Sequence, residues 1–331
     1  MTTRSVRRRV LNTALLLGVP PVLPIAVRAQ EAYPARPLRM IVPYPSGGAI
    51  DTIARTVAEQ LSRQMGQPVL VDNRPGAGGR VATEILARAQ ADGHTMLITT
   101  AAPISVAPAL TNKLPYAVEK DLLPVARVAE IINVMLVNPA SGVGSVAEFV
   151  EWARRKGGPI RYGSAGVGSA DHLAGELFQS LTGLPMLHVP YKGGGAALVD
   201  LSSGVIDVGF STYVVASPLI TSKKINVIAV TTGERQALLS NLQTVAETVP
   251  GFSISNWAGV FVPKETPIAA ARRLYTELGK AVSVAGVREK LNAAAIETVF
   301  SKSMDEFSGF VRDDTRQWAR IVKQAGVPME Q

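Results

Sequence analysis

Apolar residues first gather in the continuous run Met40-Ile41-Val42 and then spread over one helical face, with Ile50, Ile53, Ala54, Val57, Ala58, Leu61 and Met65 at steps of three and four. The pattern predicts a short buried strand followed by an amphipathic helix that stops at Gly66. Val69-Leu70-Val71 predicts a second strand, and the loop 73–80 opens a helix through Val81, Ile85 and Leu86. Asp92-Gly93 turns the chain into a strand over 96–100. Strands alternating with helices over short connections predict a parallel sheet covered by helices.

The stretch 129–137 reads as one long strand able to pass from one domain to the next, and beyond it the alternation restarts. Helices over 146–155, 170–181 and 196–201 are interleaved with strands at 161–162, 187–191, 205–210 and 226–230. A return strand follows at 256–262, Pro267 opens a helix, and the chain is expected to close with helices only. Ser303 and Glu306 have the spacing of a capping box, and Phe307, Phe310, Val311, Trp318, Ile321 and Val322 mark one face up to Gly326. A terminal run of helices packs best on the first lobe, so the chain crosses between lobes twice. Two crossings make the hinge of a clamshell that closes on a ligand.

The first residues change the picture of the charge. Arg4, Arg7, Arg8 and Arg9, the apolar run 10–19 and the small residues around Val27-Arg28-Ala29 read as a signal peptide over 1–29 with cleavage after Ala29. Arg7-Arg8-Arg9-Val10-Leu11 leaves Sec and twin-arginine export both open. This leader holds five arginines and no acid, so its removal lowers the formal charge from +8 to +3. No basic stripe with interleaved aromatics remains, which excludes a nucleic-acid partner. The absence of cysteine excludes disulfides, thiolate catalysis and a lipid-modified N-terminus, leaving a soluble protein of the periplasm.

Candidate chemistry lies in glycine-rich loops between strands and helices. At 42–51 the strand ends in Val-Pro-Tyr-Pro-Ser-Gly-Gly-Ala-Ile-Asp, where unpaired amides at the start of a helix can hold a carboxylate or phosphate. Here Asp51 is expected to orient the loop or water, since a carboxylate aimed at an anion is repulsive. The stretch 162–172, Tyr-Gly-Ser-Ala-Gly-Val-Gly-Ser-Ala-Asp-His, has the same grammar and would face the first across a cleft. Its glycines run G-x-x-G-x-G, so it is no dinucleotide fingerprint. The loops 73–80 and 191–195 lack a G-K-[ST] ending, and either can line the cleft mouth. With His94, His172 and His188 as the only histidines and no complete nucleophile elbow at Ser164 or Ser211, no enzyme, metal or cofactor is called for.

Together the segments 42–51 and 73–79, Tyr162-Gly163-Ser164 through Gly168-Ser169, and His188-Val189-Pro190-Tyr191-Lys192-Gly193 resemble the Bug family, the extracytoplasmic solute receptors of tripartite tricarboxylate transporters. The match runs from about Tyr33 to Val327 and includes Leu114-Pro115-Tyr116 and the Trp257 strand. The resemblance implies an α/β periplasmic binding protein, a type II-like clamshell of two lobes, each a mainly parallel sheet flanked by helices. Lobe 1 would comprise 30–132 plus 257–331 and lobe 2 133–256. A small carboxylate would be held by backbone groups and water and passed to integral-membrane permease subunits by a monomeric receptor. Carried onto this chain, the ligand loops are Ser46, Gly47, Gly48, Ala49 and Asp51 on one side. Gly163, Ser164, Gly166, Gly168, Ser169 and Ala170 form the other, with Thr100, Ala101 and Ala102 and the stretch from Asp207 to Ser211 as more variable contacts. Ser46 stands where the family usually has proline, and 242–247 departs from the usual proline-threonine form. Two alternatives carry other functions: a ligand-sensing partner of a membrane kinase, and a secreted hydrolase using Ser164 or Ser169.

Overall fold

The computed structural model describes residues 33–324 together with Thr2, Gly326 and Val327; the expected signal peptide lies outside the described residues. The alternation opens with β1 (Leu38–Val42), α1 (Ala49–Met65), β2 (Val69–Asn73), α2 (Arg80–Ala87) and β3 (Thr95–Thr99). β1 pairs in parallel with β2 on one side and β3 on the other. All seven apolar positions of the expected α1 face are buried, and Gly66 closes the helix at φ 70°, its amide bonded to Ser62 O. Each fully covered side chain of that face, such as Val57 or Leu61, contributes about 1.5–3 kcal/mol, which is what fixes α1 on the sheet.

α3 (Ala107–Leu110) and α4 (Val118–Asp121) lead to β4 (Leu122–Ile131) and β5 (Asn133–Val137). The long strand read at 129–137 is therefore two strands, broken at Ile132 and paired in different sheets. The second lobe adds α5 (Val146–Lys156), β6 (Ile160–Ser164), α6 (Ala170–Thr182), β7 (Met186–Pro190), α7 (Gly194–Ser202), β8 (Val208–Thr212), α8 (Tyr213–Thr221) and β9 (Asn226–Val230). Its five strands lie in the order β7-β6-β8-β5-β9. α8 escapes the hydrophobic pattern because it is apolar nearly all round and contains Pro218.

The chain returns beside its outward path. Ile254 N bonds Thr231 O at 2.9 Å, and Asn256 O accepts from Ile131 N at 2.8 Å. β10 (Trp257–Pro263) then enters the first sheet, followed by α9 (Ile268–Ser283), α10 (Ala285–Asn292), β11 (Ile296–Thr298) and α11 (Met304–Gln324). That sheet runs β11-β4-β10-β3-β1-β2. β10 is antiparallel to both β3 and β4, as β5 is to β8 and β9. Each mainly parallel sheet thus takes the crossing strand, reversed, into its interior.

Two expectations for the C-terminal part change. β11, three residues at a sheet edge, is too short to show a period among the expected helices. α11 packs on β4 and α3 of the first lobe but also on α6 of the second, where Ser180 Oγ donates to Gln324 O at 3.1 Å. Its 21 residues span about 31 Å, enough to reach across both lobes. Of the capping box, Ser303 Oγ accepts from Glu306 N at 3.0 Å, while the Glu306 carboxylate takes the amide of Lys302 instead of Ser303. Among the described residues no helix is long and apolar enough to cross a membrane.

Candidate ligand-binding cleft

The carboxyl ends of β1, β3, β6 and β8 open on one cavity of about 1000 Å³, lined from both lobes. This is the place where open α/β sheets bind ligands, because helix N-termini and loop amides converge there. On the first lobe the wall is the β1–α1 loop with Ser46, Gly47, Gly48 and Ala49, together with Thr100 and Ala101 after β3. Gly48 is the N-cap of α1 and offers no side chain to the first helical amides, so these remain for a ligand or water. Pro75 to Arg80 and Tyr191 to Gly195, the two further glycine loops, also line the cavity.

Asp51 does not line the cavity; it builds the loop that does. Its Oδ2 accepts from Gly47 N and from Arg55 Nε, each at 2.9 Å, and its Oδ1 accepts from Asn73 Nδ2 at 2.9 Å. Burial opposes ionisation, yet the hydrogen bonds from Arg55, Gly47 and Asn73 outweigh it and hold the carboxyl below its ordinary range. Gly47, at φ 86°, sits where glycine is the undemanding residue, which frees its amide to turn onto Asp51. On the same wall Tyr44 OH and Thr100 Oγ1 are 2.7 Å apart.

The second-lobe loop divides into lining and support. Gly166, Ser169 and Ala170 line the cavity, whereas Gly168 faces a small adjoining hollow with Leu110 and Gly78. Gly163 and Ser164 lie at the end of β6 below the surface, and Ser164 is fully buried. Nor is the Ser169 hydroxyl a free donor: it caps α6 by accepting from His172 N at 3.2 Å and donates to Gly166 O at 2.7 Å. Asp207 does not join the site. It precedes β8, at the opposite end of that strand from the cleft, and is held there by Arg161 and Lys156. The resemblance grouped Asp207 with Ser211 as one stretch, but a five-residue strand runs between its two ends: Ser211 lines the cavity, joined by Thr212, and Asp207 does not.

Beneath the loop lies a histidine pair that sequence spacing did not reveal. The His172 and His188 rings are 4.2 Å apart, Ser164 Oγ is 2.7 Å from His188 Nε2, and His172 Nδ1 accepts from Gly168 N at 3.2 Å. Parallel pairing of β6 with β7 sets Tyr162 against His188, which is how Ser164 and His188, 24 residues apart, meet. Burial pushes both imidazoles down to about 4, with His172 adding to the effect at His188. The bond from Gly168 requires an unprotonated Nδ1, so His172 is neutral there. A lowered pKa in a base means the unfolded chain binds more protons between pH 6.5 and 4; the histidine contribution is complete above 6.5 and fades toward 4. Asp171 and Glu130, each pushed up to about 7 by burial, work in the opposite sense over the same window, so melting alone does not isolate it. His172 is expected to titrate near pH 4 in side-chain NMR, with the Gly168 amide resonance moving in step; a midpoint above 6 would show that the ring does not hold this loop.

Asp171, Asn256 and Trp318 line the cavity as well, and the sequence reading assigned none of them. Asp171 is visible in the chain as the residue after Ala170, whereas Asn256 and Trp318 arrive through the return crossing and α11. Among the described residues no cluster of acids and histidines has the makings of a metal site.

Comparison with known proteins places this cleft in a family. The model of the tripartite tricarboxylate transporter family receptor, TctC, matches residues 53–327. BugT of Bordetella pertussis is 34% identical over 302 residues, 91% of this chain and 92% of that protein. The structure of R. palustris Rpa4515 with adipate is similar at TM-score 0.84 and 32% identity, covering 89% of this chain and 98% of that one. MatC from Rhodopseudomonas palustris with bound malate follows at TM-score 0.80 and 27% identity, over 88% of this chain and 100% of its own. The chain belongs to the TctC family of tripartite tricarboxylate transporter receptors, the solute-binding receptors among which the Bug proteins are counted.

Proposed function

We propose that this protein is a periplasmic receptor that captures a small carboxylate between its lobes and delivers it to the membrane permease subunits of a tripartite tricarboxylate transporter, without chemistry on the ligand. The observation that carries the reading is the α1 N-terminus, uncapped by any side chain, at the wall of an inter-lobe cavity of about 1000 Å³. The adipate and malate held by Rpa4515 and MatC support the ligand class. A cavity at the upper end of the range of about 300–1,000 Å³ for small-molecule sites leaves room for closure around a compact acid. The bodies that close are 33–132 with 257–327, and 133–256. Ligand binding is then the preference of the closed over the open arrangement. Ser164 and His188 hold the loop in this reading, since the serine is buried out of reach of any substrate.

The test is thermal unfolding of the mature protein against mono-, di- and tricarboxylates, aromatic acids and amino acids, with the neutral amides as controls. A ligand bound only by the native state raises the melting temperature with concentration. A rise for an acid and none for its amide is the expected result; no rise for any acid, repeated after unfolding and refolding to strip bound ligand, would overturn the carboxylate reading. Gly168→Val is expected to weaken binding at least tenfold with the fold retained. At φ 77° a branched side chain is strained, and its Cβ would stand 3.0 Å from Leu110 Cδ1, displacing the loop. Unchanged affinity in calorimetry would separate that loop from the ligand.

A further inference from the structure

We propose that Asp171 reads a cationic group, so that the ligand is an acid that also carries an ammonium group and not a bare carboxylate. The inference rests on the carboxylate reading above and deepens it. Asp171 stands in the first turn of α6, only 6% exposed, and lines the cavity. Its Oδ1 accepts from Asn133 Nδ2 at 3.1 Å, and Asn133, the first residue of β5, has its own Oδ1 3.4 Å from Asn256 Nδ2. Residues of both crossings therefore set the carboxylate's orientation.

The other oxygen lies toward Gly194, whose lack of a side chain leaves it room on the cavity wall. A Cβ on Gly194 would lie 3.9 Å from Asp171 Oδ2 and 2.9 Å from Ser211 Oγ, and Gly194 and Ser211 both line the cavity. Among the described residues Asp171 has no ion-pair partner, unlike Asp51 with Arg55, Asp72 with Arg39, or Asp207 with Lys156 and Arg161. Burial pushes its carboxyl up to about 7 against the hydrogen bonds from Ala165 and Asn133, the state of an acid short of positive charge.

This acid changes the work of the two helix ends. A carboxylate in the first turn of α6 occupies the positive end of that helix dipole, so the α6 terminus is poorly suited to a second anion. The α1 terminus, whose Asp51 is paired with Arg55, keeps its attraction. The ligand carboxylate then belongs against Gly48 and Ala49, and its ammonium group against Asp171 Oδ2 and Ser211 Oγ. Closing on an acid without such a group buries an unpaired carboxylate or forces it to take a proton, and either weakens binding.

Calorimetric titration at pH 8 with matched pairs tests this: succinate and aspartate, glutarate and glutamate, adipate and 2-aminoadipate, butyrate and 4-aminobutyrate. In the pairs that bind, the aminated acid is expected to bind at least tenfold tighter, and Asp171→Asn is expected to abolish that preference. Equal or tighter binding of the plain acid by the parent overturns the inference while leaving the carboxylate receptor intact, as does a preference for malate over both succinate and aspartate. Binding of no member of any pair overturns the inference, and the carboxylate reading falls with it only if the wider panel of acids also fails to raise the melting temperature. If Asp171→Asn does not fold, titration of the parent at pH 8, where the free carboxyl is mostly ionised, in two buffers of different ionisation enthalpy decides instead: uptake of about one proton with the plain acid and almost none with its aminated partner supports the assignment, and equal uptake overturns it.

Discussion

Asp51→Ala is expected to lower stability by about 2–4 kcal/mol and to weaken ligand binding at least tenfold, although the side chain does not line the cavity. The loss falls on two donors. Gly47 N and Asn73 Nδ2 both point at the buried carboxylate and would lose it; Asn73 Nδ2 keeps Tyr44 O at 3.0 Å and Gly47 N can turn to water, so the loss is about 1–2 kcal/mol for each of the two hydrogen bonds. Arg55 loses less, because its side chain is half exposed and returns to water. Asp51→Asn keeps one acceptor oxygen and should fall between the two. The sign with pH follows from a carboxyl held below its ordinary range: its contribution is complete above the unfolded value of about 4 and is lost as pH falls through the folded one. Urea unfolding of parent and variant at pH 7 and pH 3 checks both statements. A difference within about 0.5 kcal/mol at pH 7, or one that widens in acid, would refute the network as the support of the loop.

Gly259→Ala is expected to cost roughly 2–3 kcal/mol by crowding the first-lobe core, the ordinary scale of overpacking. Gly259 lies in β10, where a Cβ would run into Phe307 Cζ and meet Trp257 Cζ3 at 3.0 Å. Neither ring can swing out. Trp257 and Phe307 are fully buried, packed edge to face at 5.8 Å, and Trp257 Nε1 donates to Asp314 at 2.9 Å. The strand lies in the sheet interior, with Gly259 paired to both Thr99 and Arg127, so the backbone cannot retreat either. Shortening the intruding ring tests the cause. In a double-mutant cycle, Phe307→Leu should recover about 1 kcal/mol or more of the Gly259→Ala loss. Purely additive losses would place the strain elsewhere.

The sequence made the lobes legible because each strand and helix of the alternation buries a face, and burial leaves a period. The β1–α1 loop was legible for a related reason: a strand, two glycines and an apolar helix face allow few geometries. What the period cannot carry is contact between distant segments. His188 meets Ser164 through strand pairing, Asn256 and Trp318 reach the cleft through the return path, and of the stretch from Asp207 to Ser211 only the far end reaches the cleft, because the two ends of a strand lie apart in space. α8 and β11 were missed for lack of a polar face and of length respectively. Asp171 was in plain view, but only its lack of an ion-pair partner among the described residues and its place beside Gly194 on the cavity wall give it a meaning.

The reversed strand inside each sheet also bears on the order in which this chain can assemble. The five-stranded sheet is drawn wholly from one continuous stretch, β5 to β9, and has all its strands once residue 230 is available. The six-stranded sheet has no such independence: β3 and β4 become neighbours of β10 only after the intervening lobe has been traversed, and until then their inner edges have no partner. Loop closure over that distance makes the first lobe the slow, late half of folding despite its lying first in the sequence. The polypeptide that begins the molecule must wait for the polypeptide that ends it.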